Sequence, residues 1–220
     1  MWRCSSRLCY AAGMMRRILS AALLAAIPTL TLAQAPKAPA QTSATQGELI
    51  PVAIETSSGR IVIALDKTHA PITTANFLHY VDTHRFDGEN FYRAMHVGEG
   101  GLIQGGISTD ARKLYPAIVH EPTSQTGLHN VAGAIAMANA GAGTARSDFF
   151  ILASDMPALD SKGDEPGFAV FGHVIEGMDV VNKILGSPVS QTKGEGVMRG
   201  QMLEPVIKII RAERIQPSKP

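Results

Sequence analysis

The sequence predicts a mainly β domain, a barrel or sandwich of about eight short strands with two helices. Three observations predict it. Short apolar runs rich in β-branched and aromatic residues recur along the chain, separated by Gly-rich or polar breaks. Helical spacing of apolar residues shows at only two places. The strands never alternate with helices as βαβ units do, which sets a doubly wound sheet aside.

The elements follow in order. IPVAIET and RIVIALD flank Ser57-Ser58-Gly59, a hairpin with a short glycine turn. HAPITTANFLHYVDTHRFDG reads as a helix: Pro71 suits its first turn, and Phe77, Leu78 and Val81 make one apolar stripe. Phe86-Asp87-Gly88 ends it in a turn. FYRAM, GLIQGG, GAIAMAN, DFFILAS and FAVFGHVI are the next strands. GMDVVNKILG is the second helix, with Val180, Val181 and Ile184 on one side and Gly186 past its end. PVIKIIRAERI is the final strand, so 49–215 forms one domain without internal repeats, and 216–220 is a tail.

Ahead of the domain, Met14-Met15-Arg16-Arg17 leads into ILSAALLAAIPTLTLA, an apolar run ending in small residues at Thr31-Leu32-Ala33. A basic start, a short apolar stretch and a small-residue site make 1–33 a secretory signal peptide. The run is short for a membrane span. A retained anchor is the alternative, and translation from Met14 or Met15 is an alternative start. QAPKAPAQTSATQGE, 34–48, reads as a flexible linker. The product is thus expected in the periplasm or outside the cell, with no stable membrane insertion after processing. Cys4 and Cys9 both precede Ala33, so the processed chain carries neither a disulfide nor a thiol nucleophile. Arg3, Arg7, Arg16 and Arg17 are four of the 20 basic residues, and 1–33 holds no acid. The remainder carries 16 basic against 19 acidic residues, a net charge of −3 and no footprint for nucleic acid.

Most familiar chemistries find no machinery. The seven histidines (His69, His79, His84, His96, His120, His129 and His173) never fall at HxxxH or HxH spacing, so no metal is expected. Asp155 and Asp160 lie in a polar loop and read as solvated; Ser147 and Ser154 lack a nucleophile elbow. In FYRAMHVGEGGLIQGG, Gly100 and Gly105 have the gap of a phosphate loop, but Gly106-Ile107 stands where Lys-Ser/Thr belongs. No helix follows to present its N-terminus, and Gly98-Glu99-Gly100 followed by Ile103 fails the dinucleotide spacing. No cofactor is expected. What remains is one fixed cation, Arg93, the amides of Gln104 and Asn139, and the small-residue edge GAIAMANAGAGTARSDFFI. In a strand Phe149 and Phe150 point to opposite faces. Such a surface suits an extended, apolar-containing peptide.

Taken in order, IETSSGRIVIALDKTHAPITTANFLHYV, FDGENFYR, LIQGG, GAIAMANAGAGTARSDFFI, FAVFGHVIEGMDVV and the last strand resemble the cyclophilin-type peptidyl-prolyl cis-trans isomerases. The resemblance runs from about Val52 to Ile215 and is strongest to the exported bacterial branch. It implies a closed eight-stranded antiparallel barrel capped by two α-helices, acting as a monomer without cofactor on proline-containing polypeptides. By the same resemblance Arg93 is catalytic and Gln104 binds substrate backbone, while Ala138 and Asn139 line the peptide edge. Phe150 and Leu159 wall the proline pocket, Leu102 replaces the family's methionine, and Phe168 stands where many members have histidine. Three departures accompany the match. Three extra residues separate Arg93 from Gln104 and Gly101 takes a phenylalanine position. AMHVGEGGLI therefore reads as an enlarged loop, with Met95 or His96 as substitute for the lost wall. Asp148 replaces a glutamine, and either pairs with Arg93 or faces solvent. Ala158 replaces a tryptophan, so poor cyclosporin binding is expected. These departures keep a second function open, a peptide-binding module or chaperone of the same fold with weak or no isomerase activity. A small-molecule or nucleotide binder, resting on the glycine loop, is the third.

Overall fold

The computed structural model describes residues 48–215; the expected signal peptide, nearly all of the expected linker and the expected tail lie outside the described residues. The last linker residue, Glu48, is tied to the domain. Its backbone N–H donates to Thr68 Oγ1 and its carbonyl accepts from Lys67 N–H.

The first hairpin is β1 (Leu49–Thr56) and β2 (Gly59–Asp66), paired from Leu49 against Asp66 to Thr56 against Gly59. Thr56 Oγ1 accepts from the backbone N–H groups of Ser58 and Gly59, which fixes the turn. The helix α1 (Pro71–Asp82) opens on proline as expected. Its first N–H groups are satisfied from a distance. The Glu121 carboxylate accepts from Ile72 N–H at 3.1 Å, Thr73 N–H at 2.8 Å and Thr73 Oγ1 at 2.6 Å. A carboxylate at a helix N-terminus also meets the favourable end of the helix dipole.

The chain continues through β3 (Asn90–Val97), β4 (Gly100–Gly106), a single-turn α2 (Thr123–Thr126), β5 (Ala134–Met137) and β6 (Phe149–Leu152). It ends with β7 (Val170–Glu176), α3 (Met178–Leu185), the two-residue β8 (Val189–Ser190) and β9 (Met202–Arg214). Two helices were expected and both are present; α2 is a third, too short to leave a periodic signature. The last strand begins three residues earlier than Pro205, at Met202.

Strand order is β1-β2-β7-β5-β6-β4-β3-β9, and β9 pairs back onto β1 with Val52 against Arg214. That pairing closes an eight-stranded antiparallel barrel and decides between barrel and sandwich; β8 is a short edge on β9. The barrel interior takes alternate residues: Val52, Ile54, Ile61, Ile63, Leu65, Ile103, Ile135, Phe149, Ile151 and Phe171 are all buried. From α1 the ring of Phe77 packs 5.0 Å from Phe86 and 5.2 Å from both Phe149 and Phe171. From α3 come Val181, Ile184 and Leu185. Each large side chain so buried contributes about 1.5–3 kcal/mol. The residues of opposite parity do not all face water. Leu102, Ala134, Ala136, Phe150, Leu152 and Val170 form a second, smaller apolar cluster on the outside of β4, β5, β6 and β7.

Candidate active site

The outer cluster borders a groove, and a β-bulge brings an arginine to it. Along β3 and β4, Asn90 lies against Gly106 and Phe91 against Gly105, but the next partner of Gln104 is Arg93. Tyr92 is the extra residue. Plain alternation would send Phe91 and Arg93 to one face. With the bulge, Phe91 and Ala94 stay inside the barrel, 0% and 1% exposed, while Arg93 stands outside beside Gln104.

The Arg93 guanidinium is held from two sides. Nε and Nη2 donate to Gln201 Oε1 at 2.9 and 2.7 Å, and Nη1 donates to Gln104 Oε1 at 2.8 Å. Nη2 also lies 3.3 Å from Met95 Sδ. Gln104 is itself fixed, its Nε2 donating to Tyr92 Oη at 2.8 Å. Burial, and then the nearby Asp148 carboxylate, push the Tyr92 phenol up, so it stays neutral. Burial pulls the Arg93 guanidinium down from its ordinary value, with Tyr92 opposing. A guanidinium carries five N–H donors. With these bonds made, one Nη1 N–H has no protein acceptor among the described residues.

A groove of about 470 Å³ gathers Arg93, Leu102, Gln104, Ala138, Asn139, Asp148, Phe150, Leu159 and Phe168. These were named from distant parts of the sequence; Gly101 and Ala158 are not in the lining. Phe150 and Phe168 meet edge to face at 5.3 Å and 82°, and Phe168 N–H donates to the Leu159 carbonyl at 2.9 Å. These contacts hold an apolar corner open to solvent on one side.

Three readings are corrected. AMHVGEGGLI is not a loop. Ala94 pairs with Ile103, Met95 with Leu102, His96 with Gly101 and Val97 with Gly100, leaving a two-residue turn at Gly98-Glu99. The extra residues therefore lengthen a hairpin. Of the two candidates for the missing wall, Met95 packs against the outer cluster and lines the groove, whereas His96 is exposed. Asp148 neither pairs with Arg93 nor faces open solvent. Its carboxyl sits over Gly106, where an added Cβ would lie 2.1 Å from Oδ1, and burial, then Glu89, push it up to about 6. Asp155 is exposed, as expected, whereas Asp160 is bonded rather than solvated. Asp160 accepts from Asn130 N–H and Nδ2 and from His129 Nδ1, each at 2.8 Å, and Asp155 accepts from Ala132 N–H at 2.8 Å. Burial alone would raise the Asp160 carboxyl; the Asn130 and His129 bonds outweigh it and carry it down.

Sequence reasoning missed Gln201, 108 residues from Arg93 and in a stretch without pattern. Its Nε2 is anchored on the Val197 carbonyl at 2.9 Å, so its oxygen is presented to Arg93. Gln201 is a positioning residue for the guanidinium. Gln201→Leu is expected to lower kcat about tenfold in a prolyl-peptide isomerisation assay, the worth of a hydrogen bond to a charged group. KM should stay within about twofold, and Gln201→Glu should recover most of the loss by restoring an acceptor. An unchanged kcat in Gln201→Leu removes this role.

The comparisons agree with this architecture. The model of the family described as cyclophilin type peptidyl-prolyl cis-trans isomerase/CLD matches residues 51–214. A protein named peptidyl-prolyl cis-trans isomerase A from Dickeya dadantii is 35% identical over 194 residues, covering 86% of this chain and 95% of that one. A peptidyl-prolyl cis-trans isomerase from Acinetobacter baylyi is 37% identical over 141 residues, 63% of this chain and 73% of its own length. Among solved structures, a cyclophilin type isomerase of Cryptosporidium parvum superposes with a TM-score of 0.61 at 20% identity, covering 77% of this chain and 99% of that one. The same protein crystallised in the presence of the dipeptide Ala-Pro gives 0.60 at 21% identity, over 76% and 99% of the two chains.

Proposed function

The chain belongs to the cyclophilin-type peptidyl-prolyl cis-trans isomerases, and from that premise we propose that it accelerates X-Pro bond rotation in exported client proteins as they fold, with Arg93 as its catalytic residue. One observation carries the assignment of the residue: an immobilised guanidinium with an uncommitted Nη1 N–H, set at the edge of an apolar corner built by Phe150, Leu159 and Phe168.

Rotation about an X-Pro bond passes a barrier of ~18–20 kcal/mol set by amide resonance. Unassisted it takes on the order of tens to hundreds of seconds. No covalent bond is made or broken, so the site must bind the twisted amide better than either planar form. On twisting, the prolyl nitrogen becomes pyramidal and regains its lone pair. An N–H aimed at that nitrogen, or at the adjoining carbonyl, is worth most in the twisted state. Arginine suits the task because it stays charged and its donors are rigidly set. The corner of Phe150, Leu159, Phe168, Leu102 and Met95 receives the pyrrolidine ring. Gln104, Ala138 and Asn139 hold the flanking backbone. The relative crystallised with Ala-Pro supports proline-containing peptides as the substrate class.

Binding without turnover was suggested by a missing wall and a neutralised arginine. Met95 lines the groove in place of the missing ring, and among the described residues no carboxylate pairs with Arg93. Both features favour turnover. The apolar run after Arg17 and the small residues at Thr31-Leu32-Ala33 support export of the product to the periplasm or the medium. The test is a tetrapeptide isomerisation assay on protein recovered from the exported fraction of expressing cells. A rate well above the uncatalysed one is expected there; a background rate from that fraction overturns the reading.

A further inference from the structure

The proline corner fills only one end of the groove. At the other end three buried polar atoms have no hydrogen-bond partner: Asp148 Oδ1, Ser147 Oγ and Asn139 Nδ2. Buried polar groups are paired in nearly all folded proteins, so three orphans in one groove mark a place for a ligand. Asn139 Oδ1 is already taken by Gly141 N–H at 3.0 Å, which makes Nδ2 the free end of that amide. It can donate to a client carbonyl. The other two are acceptors, a carboxylate oxygen and a hydroxyl oxygen, and both suit a group rich in N–H.

The strand ladder sets the spacing. Met137 pairs with Phe149 and Ala136 with Phe150, and the Ala138 N–H bonds the Asp148 carbonyl at 2.9 Å, one step further along. Asp148 therefore keeps the alternation of β6 and lies on the outer face with Phe150, two residues away. Two residues of strand span roughly 6.6 Å, the same repeat as an extended peptide laid alongside. A side chain two positions from the client proline then meets Asp148.

Charge decides what that side chain is. Arg93 bonds Gln201 and Gln104 rather than Asp148; Arg146 lines the groove but is exposed and makes no ion pair among the described residues; Lys113 pairs with Glu89 at 2.7 Å. Tyr92, which accepts from Gln104 Nε2, is kept neutral by burial and then by the Asp148 carboxylate. Buried Glu89 adds to the negative field at Asp148. Ile107, which follows Gly106 beneath the carboxylate, offers apolar surface for an aliphatic stem. We propose that the Asp148 end of the groove is a subsite for a basic side chain, and that it directs this isomerase to X-Pro bonds with lysine or arginine two residues from the proline. This deepens the isomerase reading and rests on it.

The test uses peptides with Lys, Ala or Glu two residues before or two residues after the proline, followed by exchange NMR so that no protease is needed. The ratio of kcat/KM for the Lys and Glu peptides is the readout, in the wild-type chain and in Asp148→Asn, at pH 8 and pH 5. At one of the two positions the wild-type ratio should be about tenfold at pH 8. It should fall to about twofold or less in Asp148→Asn. It should also fall at pH 5, because a carboxyl titrating near about 6 is ionised above that pH and neutral below it. A ratio below about twofold at both positions, or one that survives Asp148→Asn, overturns the subsite while leaving the isomerase reading intact. Background rates with every peptide overturn both.

Discussion

Arg93→Ala is expected to lower kcat/KM for a prolyl tetrapeptide by about 10²–10³-fold, the usual cost of removing one preorganised donor from a transition state. The loss should fall on turnover, because the corner that receives the ring is built by other residues: Phe150, Leu159, Phe168, Leu102 and Met95. It should leave the fold in place. Arg93 is half-buried on the outside of the barrel, and its removal frees Gln104 and Gln201, both of which keep a second bond. A midpoint of thermal unfolding within a few degrees of wild type therefore accompanies the loss. Arg93→Lys should recover little. A single ammonium cannot reach Gln201 and Gln104 and still present a directed N–H to the substrate. If Arg93→Ala retains more than half of the wild-type activity, the guanidinium is a structural surface group and another element of the groove carries the rate.

The hairpin, the two main helices and the order of the strands were legible because each rests on local pattern. β-branched alternation with a Ser57-Ser58 turn, and a Phe77-Leu78-Val81 stripe behind Pro71, need no distant partner to be read. Closure of the barrel was not legible from pattern, since it depends on β1 meeting β9 across nearly the whole domain. The site divides in the same way. Arg93, Gln104, Asn139 and Phe150 stand in short strings whose order along the chain is informative. Gln201 has no such string, and is recognisable only once Met202 is known to pair with Arg93. The bulge at Tyr92 is a single additional residue in a strand of ordinary composition, and nothing in FYRAM distinguishes a bulged strand from a plain one. Asp148 illustrates a third case. Its residue type suggested pairing or solvation, but its behaviour follows from burial over Gly106 and from the anion at Glu89.

Gly101 is where linear comparison and geometry disagree most, and Gly101→Phe separates them. Counting back from Gln104 makes Gly101 a lost aromatic, and restoring the ring would then raise activity. The hairpin register makes that result unattainable. Gly101 lies opposite His96 with φ of 142°, a conformation that side-chain-bearing residues rarely adopt and that costs about 1–3 kcal/mol of strain. A Cβ there would also lie 1.9 Å from the Met95 carbonyl oxygen, inside any tolerable contact. Backbone, rather than a movable side chain, would have to yield. Gly101 further ties the hairpin to the segment after β6: its N–H donates to Ser154 Oγ at 3.0 Å and its carbonyl accepts from Ala153 N–H at 2.8 Å. A loss of roughly 3 kcal/mol or more corresponds to a fall of about 6–12 °C in the unfolding midpoint for a domain of this size. Activity should fall with it, because the displaced carbonyl belongs to Met95, the residue that lines the groove in place of the ring and touches Arg93. A folded Gly101→Phe protein with a wild-type midpoint and a raised kcat/KM would show that the wall is absent and that Met95 does not replace it. The geometry predicts the opposite on both measurements: the wall is present, supplied from across the hairpin, and glycine is what allows β3 and β4 to approach closely enough to supply it.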